Sequence, residues 1–158
     1  ILEFLYDATI RNRWDAFCDT GRWIKDFNPQ ARLSYLKYKS MWPVSARDME
    51  LFGAWKQIAD GSIVLAVLTP PGPENIPVES GVVRAQMVFG GYRIQPITPD
   101  RSRSTVTFSL QLNMKARIPT SVLNQVNVLL VFSHNEVEKQ LIKRQKDKQT
   151  AGKNAKEG

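Results

Sequence analysis

The sequence predicts an α+β fold in which successive β-strands form one antiparallel sheet and helices lie near both ends of the chain. Apolar and polar residues alternate almost perfectly over 105–114, a pattern typical of a strand with one buried face. Apolar residues near both ends recur at intervals of three and four, which is typical of amphipathic helices. Short connections between the strand candidates favour antiparallel pairing. The chain has 158 residues, and we expect one domain over 1–142 and a disordered tail over 143–158.

The first 17 residues are predicted to be helical. One apolar stripe is formed by Leu2, Leu5, Tyr6, Ile10, Trp14 and Phe17. We expect the helix to be interrupted near Asp7. Arg11 and Asp15 stand four residues apart, so both would project from one face of this helix beside the inward-packing Trp14.

Three segments in the middle of the chain have strand patterns. Residues 33–39 alternate and are rich in tyrosine, and residues 49–58 form a second strand candidate after the stretch WPVSARD. Residues 62–69 are apolar on both faces, which indicates a central strand that is covered on each side. Gly21 and the pair Asn28-Pro29 indicate breaks ahead of these strands.

A long loop and a hairpin are predicted next. The loop PPGPENIPVESG over 70–81 is rich in residues that break helices and strands. It is long enough for a compact Ω-type loop, and we expect it to act as a mobile gate. Residues 82–89 and 92–97 flank Gly90-Gly91, a pair that tight hairpin turns favour because both positions need a positive φ.

The C-terminal region is predicted to hold a long helix and a basic tail. Pro119 suits the first helical position. An apolar stripe follows it, formed by Val122, Val126, Leu130, Val137 and Leu141. The tail carries six basic and two acidic residues, which is more than half of the net charge of +7. A solvated tail is the first interpretation, attraction to an anionic membrane surface is the second, and nucleic-acid binding comes third.

The sequence holds no pattern typical of a catalytic or metal-binding site. Its one histidine, His134, lies on the predicted last helix without an acidic residue clearly on the same face, and its one cysteine is Cys18. A zinc site needs several such ligands, and the chain has neither a P-loop nor a G-x-G-x-x-G motif. We therefore expect no enzyme activity, no cofactor, no metal and no nucleic-acid partner.

Composition also predicts where the protein works. No apolar run reaches the roughly 18 residues that a membrane-spanning helix needs, and no secretory signal can be recognised. A single cysteine forms no internal disulfide and fits a reducing compartment. We expect a cytoplasmic protein.

Five motifs stand in order along the second part of the chain: WPVSARD (42–48), SGVVRA (80–85), GGYRIQP (90–96), STVTFSLQLNM (104–114) and RIPTSVLNQV (117–126). In these motifs the chain resembles the START domain family of lipid-transfer modules. The resemblance implies a helix-grip fold, in which a curved antiparallel sheet wraps around a long C-terminal helix and encloses a single lipid. In the family a further helix and strands precede the segment equivalent to Ile1. We therefore expect the N-terminal part of the domain to be missing here, and a complete domain to be a monomer.

The resemblance also implies which residues touch the lipid. In members of the family that bind phosphatidylcholine or ceramide, the equivalents of Arg11 and Asp15 reach the cavity, whereas the alternative here is an exposed surface pair. The residues that hold the polar groups of those lipids correspond to Leu36, Met49 and Ala66, which offer neither an aromatic cage nor a hydrogen bond. A site with so few polar groups favours a sterol.

Several further residues are weaker candidates. Val126 and Leu130 on the last helix are expected to line the cavity. Arg84 is also a candidate ligand contact. Its side chain faces opposite to those of Val83 and Ala85, and either pairs within the sheet or extends into solvent. By analogy with the family, Arg47 and Asp48 are expected to fix the start of a strand by hydrogen bonds to backbone and to each other.

The sequence thus favours a lipid-binding and lipid-transfer domain, sterol preferred, that is gated by the 70–81 loop and the C-terminal helix and makes transient membrane contact. Two alternatives stay open: a phospholipid carrier, and a membrane-docking or protein-interaction module with a filled core. An enzyme built on the broader helix-grip fold is a third. Apolar periodicity is the same for a cavity wall and for a filled core.

Overall fold

The computed structural model describes residues 1–72, 75–100, 102–116, 118, 122, 124, 134 and 136–147. The chain forms two compact units. The first comprises Ile1–Asn12 and Phe17–Arg117, and the second comprises Arg13–Ala16 and Ile118–Gly158.

The first unit is a sheet with two short helical segments ahead of it. Helix α1 is Leu2–Tyr6, and a 3₁₀ helix follows at Ala8–Arg13. The strands are β1 Cys18–Asn28, β2 Ala31–Tyr38, β3 Ala46–Gln57, β4 Ile63–Leu68, β5 Val82–Arg84, β6 Gln86–Pro96 and β7 Ser104–Asn113. Their order in the sheet is β1-β2-β3-β4-β6-β7, and the short β5 lies beside β3. All pairs are antiparallel except β3 with β5, which is parallel.

The predicted interruption of the first helix near Asp7 is confirmed. Asp7 has an extended backbone, with φ −78° and ψ 104°. Its Oδ1 accepts hydrogen bonds from the backbone N–H of Thr9 at 2.9 Å and from the Thr9 hydroxyl at 2.7 Å, which satisfies a donor at the start of the 3₁₀ helix. That helix ends at Arg13. Arg11 and Asp15 therefore do not share a helix face, and this prediction is wrong.

The sheet has two faces with different chemistry. Alternate residues of a strand point to opposite faces, so Met49 and Leu51 of β3 lie on one face and Asp48 and Glu50 on the other. Leu36 of β2 is the cross-strand partner of Met49. We call the side with Leu36, Met49 and Leu51 the apolar face, and the side with Asp48 and Glu50 the ionic face.

Helix α1 and the 3₁₀ helix pack on the apolar face. Gly21 pairs with Leu36, and a Cβ atom at Gly21 would lie 2.0 Å from the carbonyl oxygen of Ala8. Only glycine permits so close an approach. Tyr6 lies over Gly53, where an added Cβ would be 3.5 Å from the ring. The buried core cluster comprises Ala8, Cys18, Leu36, Met49, Leu51 and Ala85.

Strand β1 lies where the sequence indicated breaks rather than a strand. Gly21 lies inside it, whereas the break indicated at Asn28-Pro29 is confirmed, because β1 ends at Asn28 and β2 begins at Ala31. Its pairing with β2 has register shifts at three places, and most of its side chains are exposed, so it lacks the apolar alternation that identifies a strand. Gly21 serves the close approach of the 3₁₀ helix and does not make a turn.

The hairpin turn predicted at Gly90-Gly91 is also wrong. Strand β6 runs without interruption through both glycines. A Cβ atom at Gly91 would lie 2.1 Å from the carbonyl oxygen of Leu65 in the neighbouring strand. A glycine inside a strand often marks such a close backbone approach.

Strand β4 is central, as predicted, because it pairs with β3 on one side and β6 on the other. It is not covered on both faces. Leu65 is buried, whereas Val64 and Leu68 are exposed. The predicted alternation of β7 is confirmed over 107–113, where the polar residues are exposed and the apolar residues 108, 110 and 112 are half-buried, whereas Val106 is exposed.

The second unit contains the C-terminal helix. Residues 136–147 are helical and Val137 is buried. Trp14 is also buried, and its ring centroid lies 6.1 Å from that of His134. The helix continues past residue 142, so residues 143–147 are not the disordered start of a tail. The predictions for Pro119 and for residues 148–158 lie outside the described residues. Within the part of the chain that the structure describes, no helix is long and apolar enough to cross a membrane.

Candidate functional site

Two of the predicted lipid-binding residues come together on the apolar face. Leu36 and Met49 face each other across β2 and β3, and both are buried. They belong to one cluster with Leu51, Ala8 and Cys18. Neither side chain can donate or accept a strong hydrogen bond. This part of the sheet therefore offers apolar contact and no recognition of a polar group.

The two residues of the predicted polar pair belong to different compact units. Arg11 lies in the 3₁₀ helix of the first unit and is half-buried. Asp15 follows the end of that helix, belongs to the second unit and is fully buried. An exposed surface pair, the alternative for these two residues, does not describe Asp15.

Two other predicted residues lie on the ionic face. Ala66 pairs with Ala54 of β3, and Ala54 is an even number of residues from Asp48 and Glu50, so it lies on their face. Ala66 is exposed. Arg84 is the cross-strand partner of Asp48 in the parallel pair of β5 with β3. The structure therefore does not place Ala66 and Arg84 beside Leu36 and Met49. Val126 and Leu130 lie outside the described residues.

Arg84 is the centre of a buried ionic cluster. Its Nε lies 2.7 Å from Asp48 Oδ1 and its Nη2 donates to Asp48 Oδ2 at 3.0 Å, a bidentate arrangement. Its Nη1 lies 3.2 Å from Glu50 Oε1. The side chains of Arg84, Asp48 and Glu50 are 9%, 0% and 5% exposed. The Tyr35 hydroxyl donates to Asp48 Oδ2 at 3.1 Å. Of the two possibilities for Arg84, pairing within the sheet is the one observed.

The 70–81 loop is bound to this cluster. Glu50 Oε2 accepts hydrogen bonds from the backbone N–H of Asn75 at 3.1 Å and from its side-chain amide at 2.7 Å. Glu50 Oε1 accepts from the N–H of Ile76 at 2.7 Å, and Arg84 donates to the Ile76 carbonyl at 3.0 Å. Farther along the loop, Glu79 forms a 2.5 Å ion pair with Lys37.

This attachment argues against the gate that the sequence predicted at 70–81. The loop residues Asn75 and Ile76 are bound on the ionic face, and Leu36 and Met49 lie on the opposite face. The backbones of β2 and β3 separate the two sides. Movement of this loop would therefore not uncover Leu36 or Met49.

Burial and hydrogen bonding shift two pKa values in the cluster. Burial of Tyr35, together with the charge and hydrogen bond of Asp48, raises the pKa of the Tyr35 phenol to about 12. Burial acts to raise the pKa of the Glu50 carboxyl, but hydrogen bonds from Asn75 and Ile76 and the charge of Arg84 outweigh it. The pKa of Glu50 is therefore below its ordinary value. At neutral pH Glu50 is a carboxylate, which is the form that accepts these hydrogen bonds.

Sequence reasoning missed Tyr35 and Glu50. The signal was available in part, since Glu50 lies in the predicted strand 49–58 and Asp48 stands two residues before it, so both side chains share a face once the strand includes Asp48. It also expected Arg47 and Asp48 to bond to each other. Neighbouring residues in a strand point to opposite faces, so Asp48 pairs with Arg84, and Arg47 donates to the carbonyl of Ser45.

Other chemistry-bearing residues are dispersed. Cys18 is buried, and its thiol lies 3.6 Å from the carbonyl oxygen of Thr20. Among the described residues, no group of three or more histidine, cysteine or acidic side chains is arranged to hold a metal ion.

Comparison with known proteins places the chain in a family. The model of the START domain matches residues 2–135. The chain is 28% identical over 110 residues to the protein ENHANCED DISEASE RESISTANCE 2-like of Arabidopsis thaliana, covering 66% of this chain and 15% of that protein. It is 25% identical over 112 residues to an uncharacterized protein of Pseudomonas aeruginosa, covering 71% and 53%.

Solved structures show the same fold. Human STARD10 superposes with a TM-score of 0.78 at 22% identity, covering 94% of this chain and 59% of that chain. Human StAR-related lipid transfer protein 5 superposes with a TM-score of 0.72 at 20% identity, covering 87% and 68%. These similarities confirm the predicted α+β, helix-grip fold class. The match to the family model spans most of the sequence, and the chain belongs to the START domain family.

Proposed function

We propose that this chain is a lipid-binding and lipid-transfer domain and that the lipid contacts the apolar face at Leu36 and Met49. Membership of the START family supports lipid binding, and so does the name of a structural neighbour, StAR-related lipid transfer protein 5. The single observation that carries the location is the buried cross-strand pair Leu36–Met49. A lipid leaves a membrane only if its apolar body enters another dry environment, which is worth about 0.8 kcal/mol per CH₂ group.

A sterol is the ligand that we propose first. Leu36 and Met49 supply neither the aromatic cage that would hold choline nor hydrogen bonds to an amide. A sterol has one hydroxyl and a large apolar body, so it loses little in such a site. A phospholipid is the alternative, and it would need a polar partner from Arg11 or Asp15. Val126 and Leu130, which lie outside the described residues, are proposed as further lipid-binding residues.

A transfer assay with two cargoes tests the proposal. Donor and acceptor vesicles would carry either a fluorescent sterol or a fluorescent phosphatidylcholine, and transfer is followed with the purified 158-residue chain. Faster transfer of the sterol supports the first choice, and faster transfer of the phospholipid replaces it with the alternative. Transfer of neither lipid above the spontaneous rate contradicts lipid transfer.

The role of Arg11 is tested by substitution. We expect Arg11→Ala to lower lipid transfer by about tenfold, the loss of one charged hydrogen bond, with little change in the midpoint of unfolding. Arg13→Ala is the matched control, because Arg13 ends the same 3₁₀ helix and is exposed. A large fall in the unfolding midpoint with unchanged transfer would make Arg11 a scaffold residue.

A membrane-docking module is a second candidate because of one residue. The side chain of Trp42 is 93% exposed, and it lies in a tight turn that Met41 and Val44 close with reciprocal backbone hydrogen bonds of 2.8 and 2.7 Å. An exposed indole is well suited to the interface of a membrane with water. Such a module would act at the cytoplasmic surface of membranes.

Vesicle sedimentation separates docking from transfer. We expect Trp42→Ala to lower the fraction of protein that sediments with anionic vesicles. Phe27→Ala is the control, because Phe27 is another exposed aromatic residue, in β1. A pure docking module sediments with vesicles but transfers no lipid, and equal sedimentation of Trp42→Ala and the unchanged protein contradicts a docking role for Trp42.

A further inference from the structure

The loop between β4 and β5 is hydrogen-bonded to the sheet at both ends. Beside the end of β4, the N–H of Thr69 donates to the Met87 carbonyl at 2.9 Å, and the N–H of Met87 donates to the Thr69 hydroxyl at 2.9 Å. At its return, β5 adds to β3 as a parallel strand, and the N–H of Ala85 donates to the Asp48 carbonyl at 2.9 Å. These hydrogen bonds fix the positions of both ends of the loop.

Its middle is held by buried charge. Glu50 accepts hydrogen bonds from the backbone N–H groups of Asn75 and Ile76 and from the side-chain amide of Asn75. Arg84 donates to the backbone carbonyl of Ile76. The same guanidinium also pairs with both carboxylates, Asp48 and Glu50. Hydrogen bonds to ionised groups are roughly twice as strong as bonds between neutral groups. The loop is therefore attached through hydrogen bonds to ionised groups.

Charge balance explains why the loop belongs to this cluster. Asp48 and Glu50 carry two negative charges and Arg84 carries one positive charge, so the guanidinium alone does not satisfy both carboxylates. A buried carboxylate without further hydrogen bonds is costly. The N–H groups of Asn75 and Ile76 complete the shell of Glu50, and the Tyr35 hydroxyl completes that of Asp48. Folding of the loop and burial of Glu50 thus support each other.

We propose that Glu50 and Arg84 are positioning residues that hold residues 75–79 as a fixed cover on the ionic face, and that lipid enters and leaves with this cover closed. This inference rests on the proposed function, because it places the lipid at Leu36 and Met49 on the apolar face. The backbones of β2 and β3 lie between that pair and the cover. Opening the cover gives no route to the lipid, so the moving part of the domain is elsewhere.

Hydrogen exchange at residues 75 and 76 tests the cover directly, because both amides donate to Glu50. We expect both amides to be protected from hydrogen exchange in the unchanged protein. Their hydrogen-exchange rate should stay the same while the protein transfers lipid between vesicles. Glu50→Gln should speed their exchange by about tenfold or more while the rate of lipid transfer stays within about twofold. Faster exchange at 75–79 during transfer, or a several-fold rise of transfer in Glu50→Gln, would overturn the inference.

Two further variants keep the test decisive. Glu79→Gln is the matched control, because its ion pair with Lys37 is exposed and does not reach Asn75 or Ile76, so their exchange should not change. Asn75→Ala removes one donor to Glu50 and leaves the buried charges intact, and it replaces Glu50→Gln if that variant does not fold. If no variant transfers lipid, the proposed function fails. In that case loss of protection in Glu50→Gln still supports the positioning role, and unchanged protection overturns it.

Discussion

Tyr35 shows how a single hydroxyl reports on the ionic cluster. Its pKa is raised to about 12, first by burial and then by the charge of Asp48. The phenol should therefore stay protonated well above pH 10 in the folded protein. Because the folded pKa is higher than the ordinary value, this contribution to stability is complete below about pH 10 and is lost as pH rises towards 12. Ultraviolet titration of the folded chain, compared with Tyr35→Phe, checks this. Ionisation of Tyr35 at the ordinary tyrosine pKa of 10.0 would contradict it.

The same substitution measures the hydrogen bond. Tyr35→Phe leaves Asp48 without one donor, and we expect the free energy of unfolding to fall by about 1.5–3 kcal/mol, as for a bond to a charged group. Urea unfolding at neutral pH gives the value. A change of less than about 0.5 kcal/mol would show that the bond contributes little in the folded state.

Glu50 should make the protein sensitive to acid. Its pKa is lowered in the folded state, so its contribution is present above its ordinary pKa of 4.5 and is lost as pH falls through the lower folded value. We expect the difference in unfolding free energy between the unchanged protein and Glu50→Gln to shrink as pH falls below about 4.5. Urea unfolding over a pH series measures the difference, and a constant difference would exclude linkage to Glu50.

The roles of individual residues could be predicted where the alternation of a strand determines the face to which a side chain points. The pairing of Arg84 was one of two possibilities that the sequence offered, and its position opposite its neighbours on β5 follows from alternation. The relation of Arg11 to Asp15 was not predictable, because it assumed a helix through residue 15 and the 3₁₀ helix ends at Arg13. A helix end is decided by packing as well as by local preference.

At the scale of elements, the junction of the 3₁₀ helix with β1 depends on Gly21. Gly21→Ala would bring a Cβ atom to 2.0 Å from the Ala8 carbonyl oxygen and 2.8 Å from Leu36, so the helix must shift. We expect a loss of about 1–3 kcal/mol of unfolding free energy. Gly53→Ala is the control, since its Cβ would meet Tyr6 at an ordinary 3.5 Å. Thermal or urea unfolding checks both, and equal stability of the two variants would contradict the tight junction.

Most strands could be predicted from sequence, and the exceptions share one cause. Strands β2, β3 and β7 have regular alternation or a clear apolar run. Gly21 was interpreted as a break and Gly90-Gly91 as a turn, although these glycines lie inside β1 and β6. Glycine permits a turn and also permits a close approach of two backbones. Only the tertiary structure tells which of the two applies.

For the whole molecule, the fold class and the family could be predicted because five motifs occur in order and the family model matches residues 2–135. The location of the lipid could be predicted only in part. Leu36 and Met49 meet across two strands, but Ala66 and Arg84 lie on the other face, because their direction depends on strand register. The identity of the lipid does not follow from apolar residues, since such walls accept many hydrophobic molecules of suitable volume.

Native mass spectrometry of the chain purified from cells is the most direct test of lipid carriage. The account predicts a species whose mass exceeds that of the polypeptide by one lipid molecule per chain, with a sterol as the first expectation and a phospholipid as the alternative. Only the bare polypeptide mass, both from cells and after incubation with a panel of sterols and phospholipids, would contradict it.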